Sequence, residues 1–190
     1  MDLLAWIRAD LAGLQARLTD SVISMVPHER WHEPVDNGGS TITHLLLHLA
    51  RHQDLAIRTA IRNHAPLFTE HRTALGLADA DPWAGLAERE DPQVSAQVGP
   101  EALLRYLDDV FAASTAWLDH VGTMALDTIP NASWHLADLA DLPEAQLPWL
   151  HRMWADKAVW WMLQWPVLGH GHAHTGEAIS VRNRMGLSPF

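Results

Sequence analysis

The chain has 190 residues, 48% of them apolar, with no cysteine and a formal net charge of −10 when histidine is neutral. This length and composition fit a single domain, residues 1–190, with a real core, and they exclude an intrinsically disordered chain. The lack of cysteine excludes disulfides, thiolate metal sites and cysteine nucleophiles and fits a cytoplasmic protein, while the acidic balance argues against nucleic acid or an anionic membrane as partner.

The opening Met1-Asp2-Leu3-Leu4-Ala5-Trp6 has no basic leader and enters an amphipathic pattern at once, so no signal peptide is expected. No apolar run approaches the roughly 20 residues of a membrane span. Leu3, Leu4, Ile7, Leu11, Leu14, Leu18, Val22 and Met25 recur at helical spacing and predict a first helix over 3–26, stopped by Pro27. Residues 28–39 form a loop with Pro34, Asp36, Asn37, Gly38 and Gly39 as turn residues. Ser40 or Thr41 caps a second helix that runs to about Asn63 and is closed by Pro66.

Residues 65–99 have weak periodicity and many Pro, Gly and Asp, which predicts a long crossover with a short helical turn near 83–88. Pro100 opens a third helix reaching about Val121. A second irregular segment, 122–148, includes a short helix near 133–139. Helical pattern resumes at Trp149 or Leu150 and lasts to about Met185, kinked or split at Pro166 and capped by Gly186. No segment alternates as a strand does. The expected fold class is all-α, a four-helix bundle with long crossover connections.

Thirteen histidines are many for this length, and six of them fall in two clusters, one of His44, His48 and His52 and one of His170, His172 and His174. On the last helix His170 and His174 are one turn apart, on one face with Val167, Val181 and Met185, whereas His172 faces roughly the opposite way. Two imidazoles so placed can grip one transition-metal ion. Glu177 lies one turn further on, at the edge of that face, as a fourth ligand, an acceptor that orients an imidazole, or a general base.

A third ligand has to come from His44, His48 and His52 on the second helix. Arg51, Asp54, Arg58 and Arg62 mark the solvent side there, and His44 falls with them. His48 and His52 sit at the boundary between the faces. Periodicity slightly favours His52, and spacing alone does not choose. Three protein ligands leave positions open for water or substrate, as in a catalytic site. Of the ten tryptophans, five (Trp149, Trp154, Trp160, Trp161 and Trp165) fall just before the last histidine pair; they pack a core, and Trp160, Trp161 and Trp165 are candidates to border a pocket. Arg182 and Arg184 meet the helix dipole in the last turn or bind a carboxylate.

Ser40-Thr41-Ile42-Thr43-His44-Leu45-Leu46-Leu47-His48-Leu49-Ala50-Arg51, the His170-x-x-x-His174-Thr175-Gly176-Glu177 element and the closing Arg182-Asn183-Arg184-Met185-Gly186-Leu187 resemble the DinB-like (DinB/YfiT-like) superfamily. The resemblance extends over nearly the whole chain in the order and spacing of helices. It implies a four-helix bundle that holds a divalent metal (zinc, nickel or iron) through His48, His170 and His174, with His52 as a pocket residue. It also implies a metal-dependent transferase or isomerase that uses a low-molecular-weight thiol such as mycothiol or bacillithiol on an electrophilic substrate, and a homodimer. Glu177 or His52 then moves protons. The maleylpyruvate isomerase branch has glutamate where this chain has His170, which points away from that reaction. The alternatives are a metal-dependent hydrolase and a non-enzymatic metal- or ligand-binding stress-response protein.

Overall fold

The computed structural model describes residues 2–35 and 39–190. The turn expected at Asp36, Asn37 and Gly38 lies outside the described residues. Helix α1 (Leu3–Leu18) starts where the Asp2 side chain accepts from the Leu4 amide at 3.0 Å, and it buries Leu4, Ile7, Leu11, Leu14 and Leu18 on one stripe. The first helix expected over 3–26 does not keep one pitch. After Leu18 it widens into a π-helical turn, Thr19–Ile23, closed by a bond from the Ser24 amide to the Thr19 carbonyl at 2.9 Å.

Helix α2 (Ile42–Asp54) is capped by Thr41, whose hydroxyl accepts from the His44 amide at 3.2 Å. It too widens, over Leu55–Ile61, and stops where Asn63 turns left-handed at φ 59°. All thirteen residues of α2 are buried. The expectation that Arg51, Asp54 and His44 face solvent is therefore wrong. The reason is that the crossover, which carries the short helices α3 (Phe68–His71) and α4 (Pro92–Ser95), lays Leu67, Phe68 and residues 82–86 over the polar side of α2. Arg51 stacks on Phe68 with its guanidinium 3.6 Å from the ring centre and donates to the carbonyls of Ala84 and Pro82 at 3.1 and 2.5 Å. Asp54 accepts from the amides of Leu67 and Phe68 and from the Tyr106 hydroxyl at 2.9–3.0 Å.

Helix α5 (Pro100–His120) begins on proline, which loses nothing at a position whose N–H has no partner. The second irregular segment has one turn of 3-10 helix, Thr123–Asp127, and helix α6 (Ala132–Leu139). The expected long last helix is broken once, into α7 (Pro148–Trp154) and a continuous run that contains α8 (Val159–Met162) and α9 (His170–Arg182). The break before α8 falls where Asp156 is left-handed, at φ 56°, and the Val159 amide bonds to the Thr128 carbonyl. Around Pro166 the chain keeps helical turns by widening to π geometry over Leu163–Gly169. Gly186, at φ 78°, ends the helical stretch, as a glycine can.

α2 packs against α5 and α9, and α1 packs against the same two, which closes a four-helix ring. α1 and α9 run in the same direction, shown by the pairs Asp10 with His172 and Ser21 with Arg182. Arg182, buried, donates to the Ser21 carbonyl and thereby ties α9 to the end of α1. Gly171 lets these helices meet closely, since a Cβ there would lie 2.5 Å from Leu14 Cδ2. No helix among the described residues is long and apolar enough to cross a membrane.

Candidate metal centre

α2 and α9 face each other at His48, His170 and His174. The Nε2 atoms of His48 and His174 each lie 3.1 Å from Nε2 of His170. Two nitrogens on a tetrahedral zinc, each about 2.05 Å from the ion, are about 3.3 Å apart. His170 thus already stands at ligand-to-ligand spacing from both of the others.

A fourth group completes the cluster. Glu88 Oε1 is 3.7 Å from Nε2 of both His48 and His170, and its Oε2 is 3.6 Å from Nε2 of His174. These four side chains offer ligand atoms that all lie within 4.8 Å of one another. Glu88 sits in the crossover, in a stretch with no periodic or motif signal, and sequence reasoning had no handle on it. A nitrogen-rich donor set of this kind suits zinc, nickel or iron and does not suit magnesium or calcium, which take oxygen.

Hydrogen bonds at the far nitrogens set the tautomers. A carbonyl oxygen only accepts, so the 2.9 Å contact between His48 Nδ1 and the Gly85 carbonyl is an N–H donated by His48. Its Nε2 is then a bare lone pair. His174 Nδ1 donates in the same way to Glu177 Oε2 at 3.0 Å, leaving its own Nε2 bare. This is the arrangement that orients imidazole ligands and raises their basicity. The Nδ1 of His170 is buried with no partner in the structure.

Burial also favours the neutral form of His48 and His170. It is the main force pushing His48 down to about 4 and His170 to about 3, reinforced in both by the neighbouring histidines, while the Gly85 carbonyl opposes the shift at His48. The fully buried His52 is held well below the ordinary histidine value, again chiefly by burial. Neutral imidazole is the form that binds metal.

The remaining sequence candidates fall around this cluster. His52 lies beside it, with ring centres 4.5 Å from His48 and 4.4 Å from His170, and its Nε2 donates to the Leu86 carbonyl at 3.2 Å. His44, expected at the surface, is 3% exposed and stacks on His48 with ring centres 5.5 Å apart. His172 turns away to Asp10 at 3.1 Å. Glu177 reaches the centre through His174. The structure brings none of Trp160, Trp161 and Trp165 into ring contact with these histidines among the described residues. Trp160 and Trp165 are about half exposed, and Trp161 lies under Lys157. The indoles near His52 are instead Trp149 and Trp154, at 6.2 and 6.4 Å between ring centres.

No family model matches the chain, and comparison with curated proteins finds no match either. Among solved structures the chain is similar to a conserved protein of Enterococcus faecalis, known from its crystal structure. The two are 19% identical, with a TM-score of 0.69 over 98% of this chain and 99% of that one. At that identity the likeness shows a shared fold across the whole length of both chains.

Proposed function

We propose that this chain is a DinB-like metalloenzyme. In this reading His48, His170 and His174 hold a divalent zinc, nickel or iron ion, and the enzyme transfers or isomerises a small electrophile with a low-molecular-weight thiol such as mycothiol or bacillithiol. The observation that carries the reading is the convergence of His48 and His174, whose Nε2 atoms each lie 3.1 Å from Nε2 of His170, with both of their far nitrogens already donating. The bare lone pairs of His48 and His174 both lie against Nε2 of His170, and a cation among the three rings satisfies them together. When bound, the ion supplies Lewis acidity that lowers the pKa of a thiol or water brought to it.

The protein's own residues do the rest. The Gly85 carbonyl and the Glu177 carboxylate hold the rings of His48 and His174. Glu177, with its side chain 45% exposed, touches both His174 and solvent and can pass a proton between them. His52 uses Nε2 toward Leu86, which leaves Nδ1 as its proton-accepting atom. Trp149 and Trp154 give the side of His52 an apolar wall suited to an electrophile. Because the chain has no cysteine, any sulfur nucleophile must come from a cosubstrate.

The test is the metal content of untagged protein by plasma mass spectrometry, beside His48→Ala, His170→Ala and His174→Ala. The reading expects about one divalent ion per chain, lost in each variant while the helical signal survives. Folded protein that takes up no metal overturns it. Product analysis with and without thiol then separates thiol transfer from hydrolysis. The same reading makes the chain a cytoplasmic homodimer, which sedimentation checks for the oligomer.

A further inference from the structure

We infer that Glu88 fills the fourth position around the ion and is the group an incoming thiol displaces. The inference rests on the metal-centre reading above and extends it to how the site opens.

Residues 82–90 lie along α2 as a strap. The strap's carbonyls meet α2 side chains one after another: Pro82 and Ala84 accept from Arg51, Gly85 from His48, and Leu86 from His52. At its far end the Glu90 carboxylate accepts from the amide and hydroxyl of Thr41 at 2.7 and 2.8 Å. The backbone on both sides of Glu88 is therefore fixed.

From that fixed strap the Glu88 carboxylate spans the three histidines, with one oxygen toward His48 and His170 and the other toward His174, at 3.6–3.7 Å. Those separations resemble ligand-to-ligand edges more than hydrogen bonds. The Nε2 atoms of His48 and His174 are bare, because their Nδ1 atoms carry the protons. A carboxylate pointed at bare nitrogens is acceptor against acceptor. A cation at the centre turns that opposition into coordination, giving three nitrogens and one oxygen.

The Glu88 side chain is 73% exposed. It can swing into solvent by rotation of its own bonds while the strap stays tied. A resting centre closed by its own carboxylate then opens only to a ligand that competes with that carboxylate, as a thiolate does. A ligand that must compete in this way binds with an affinity reduced by the fraction of open sites.

The experiment uses the full chain loaded with cobalt(II), comparing wild type with Glu88→Gln. The metal is read by its visible bands and by competition with a chelator. The thiol probe is 2-mercaptoethanol, read by a sulfur-to-cobalt charge-transfer band. The expected result is an altered visible spectrum, cobalt held about tenfold more weakly and 2-mercaptoethanol bound about tenfold more tightly in the variant. Identical spectra and affinities in the two proteins overturn the inference, even though His48→Ala, His170→Ala and His174→Ala lose cobalt. An altered spectrum with unchanged thiol binding overturns the displacement. If no protein in the series takes up cobalt, the metal-centre reading itself falls, and this inference with it.

Discussion

The Nδ1 of His48 donates to the carbonyl oxygen of Gly85 at 2.9 Å, and Gly85 holds that place only because it has no side chain. Its φ is +79°, and a Cβ there would lie 2.9 Å from Cγ and Cδ2 of Leu47. Leu47 is fully buried and has no room to yield. Gly85→Ala is expected to destabilise the fold by about 1–3 kcal/mol through backbone strain and overpacking. It should also weaken metal binding about tenfold or more, because the acceptor that orients His48 is displaced. Urea unfolding and chelator competition on the same protein measure the two effects. Unchanged metal affinity would show that His48 keeps its orientation without Gly85.

Metal-free protein is expected to lose stability as pH falls below neutrality. An unfolded histidine takes up a proton near pH 6.5, whereas His48 and His170 in the fold do so only near 4 and 3. Between those values the unfolded state binds more protons, so stability rises with pH across the window and is lost as pH falls through it. Well below pH 6.5 each such histidine contributes a slope of about 1.4 kcal/mol per pH unit. Urea midpoints between pH 7.5 and 4.5 should fall more steeply for wild type than for His170→Ala. Parallel curves would refute the assignment of His170 as a buried neutral ring.

Arg51 makes a different kind of demand. It is buried, stacked on Phe68, and donates to two strap carbonyls. Arg51→Ala leaves those carbonyls without their donor and removes packing on Phe68, so a loss of about 3–5 kcal/mol is expected. Arg51→Lys should recover little of it, since an ammonium cannot both stack and bond to two carbonyls as a planar fork does. Thermal unfolding of the two variants decides this. Full recovery by lysine would mean that charge, and not fork geometry, holds the strap.

What could be read from sequence follows from which atoms make the contacts. α1 and α5 each bury one stripe against the bundle, so their leucine spacing announced them, as did the one-turn pair His170 and His174. α2 defeated the same logic because the crossover covers its polar face, and there Arg51, Asp54 and His44 are as buried as its leucines. The strap's grip on α2 runs mostly through carbonyl oxygens, which every residue type has. No residue pattern therefore marks it, and Glu88 rode on it unseen. The tryptophans nearest His52 lie before the left-handed turn at Asp156. Trp160, Trp161 and Trp165 are candidates through nearness in sequence to the histidine pair, and the wide turns over Leu163–Gly169 between them and His170 depart from the 100° phase of an ordinary helix.

The closeness of α1 and α9 gives the last prediction. A Cβ at Gly171 would meet Leu14 Cδ2 at 2.5 Å, and Leu14 is fully buried. Gly171→Ala gains about 1 kcal/mol of helix propensity but forces a methyl into a filled space, which costs about 1–3 kcal/mol. Gly171 lies between His170 and His174, so pushing α9 away from α1 also moves both imidazoles, and metal affinity should fall. Leu14→Ala alone opens a cavity and should cost about 2–5 kcal/mol. In the double variant the alanine methyl at 171 enters the space that the leucine vacates. The two changes should therefore cost less together than the sum of each alone, by at least about 0.5 kcal/mol, and metal affinity should recover toward wild type. A double-mutant cycle read by urea unfolding and chelator competition tests both. Additive costs with no recovery of metal would mean that the Gly171–Leu14 contact does not set the position of the ligand helix.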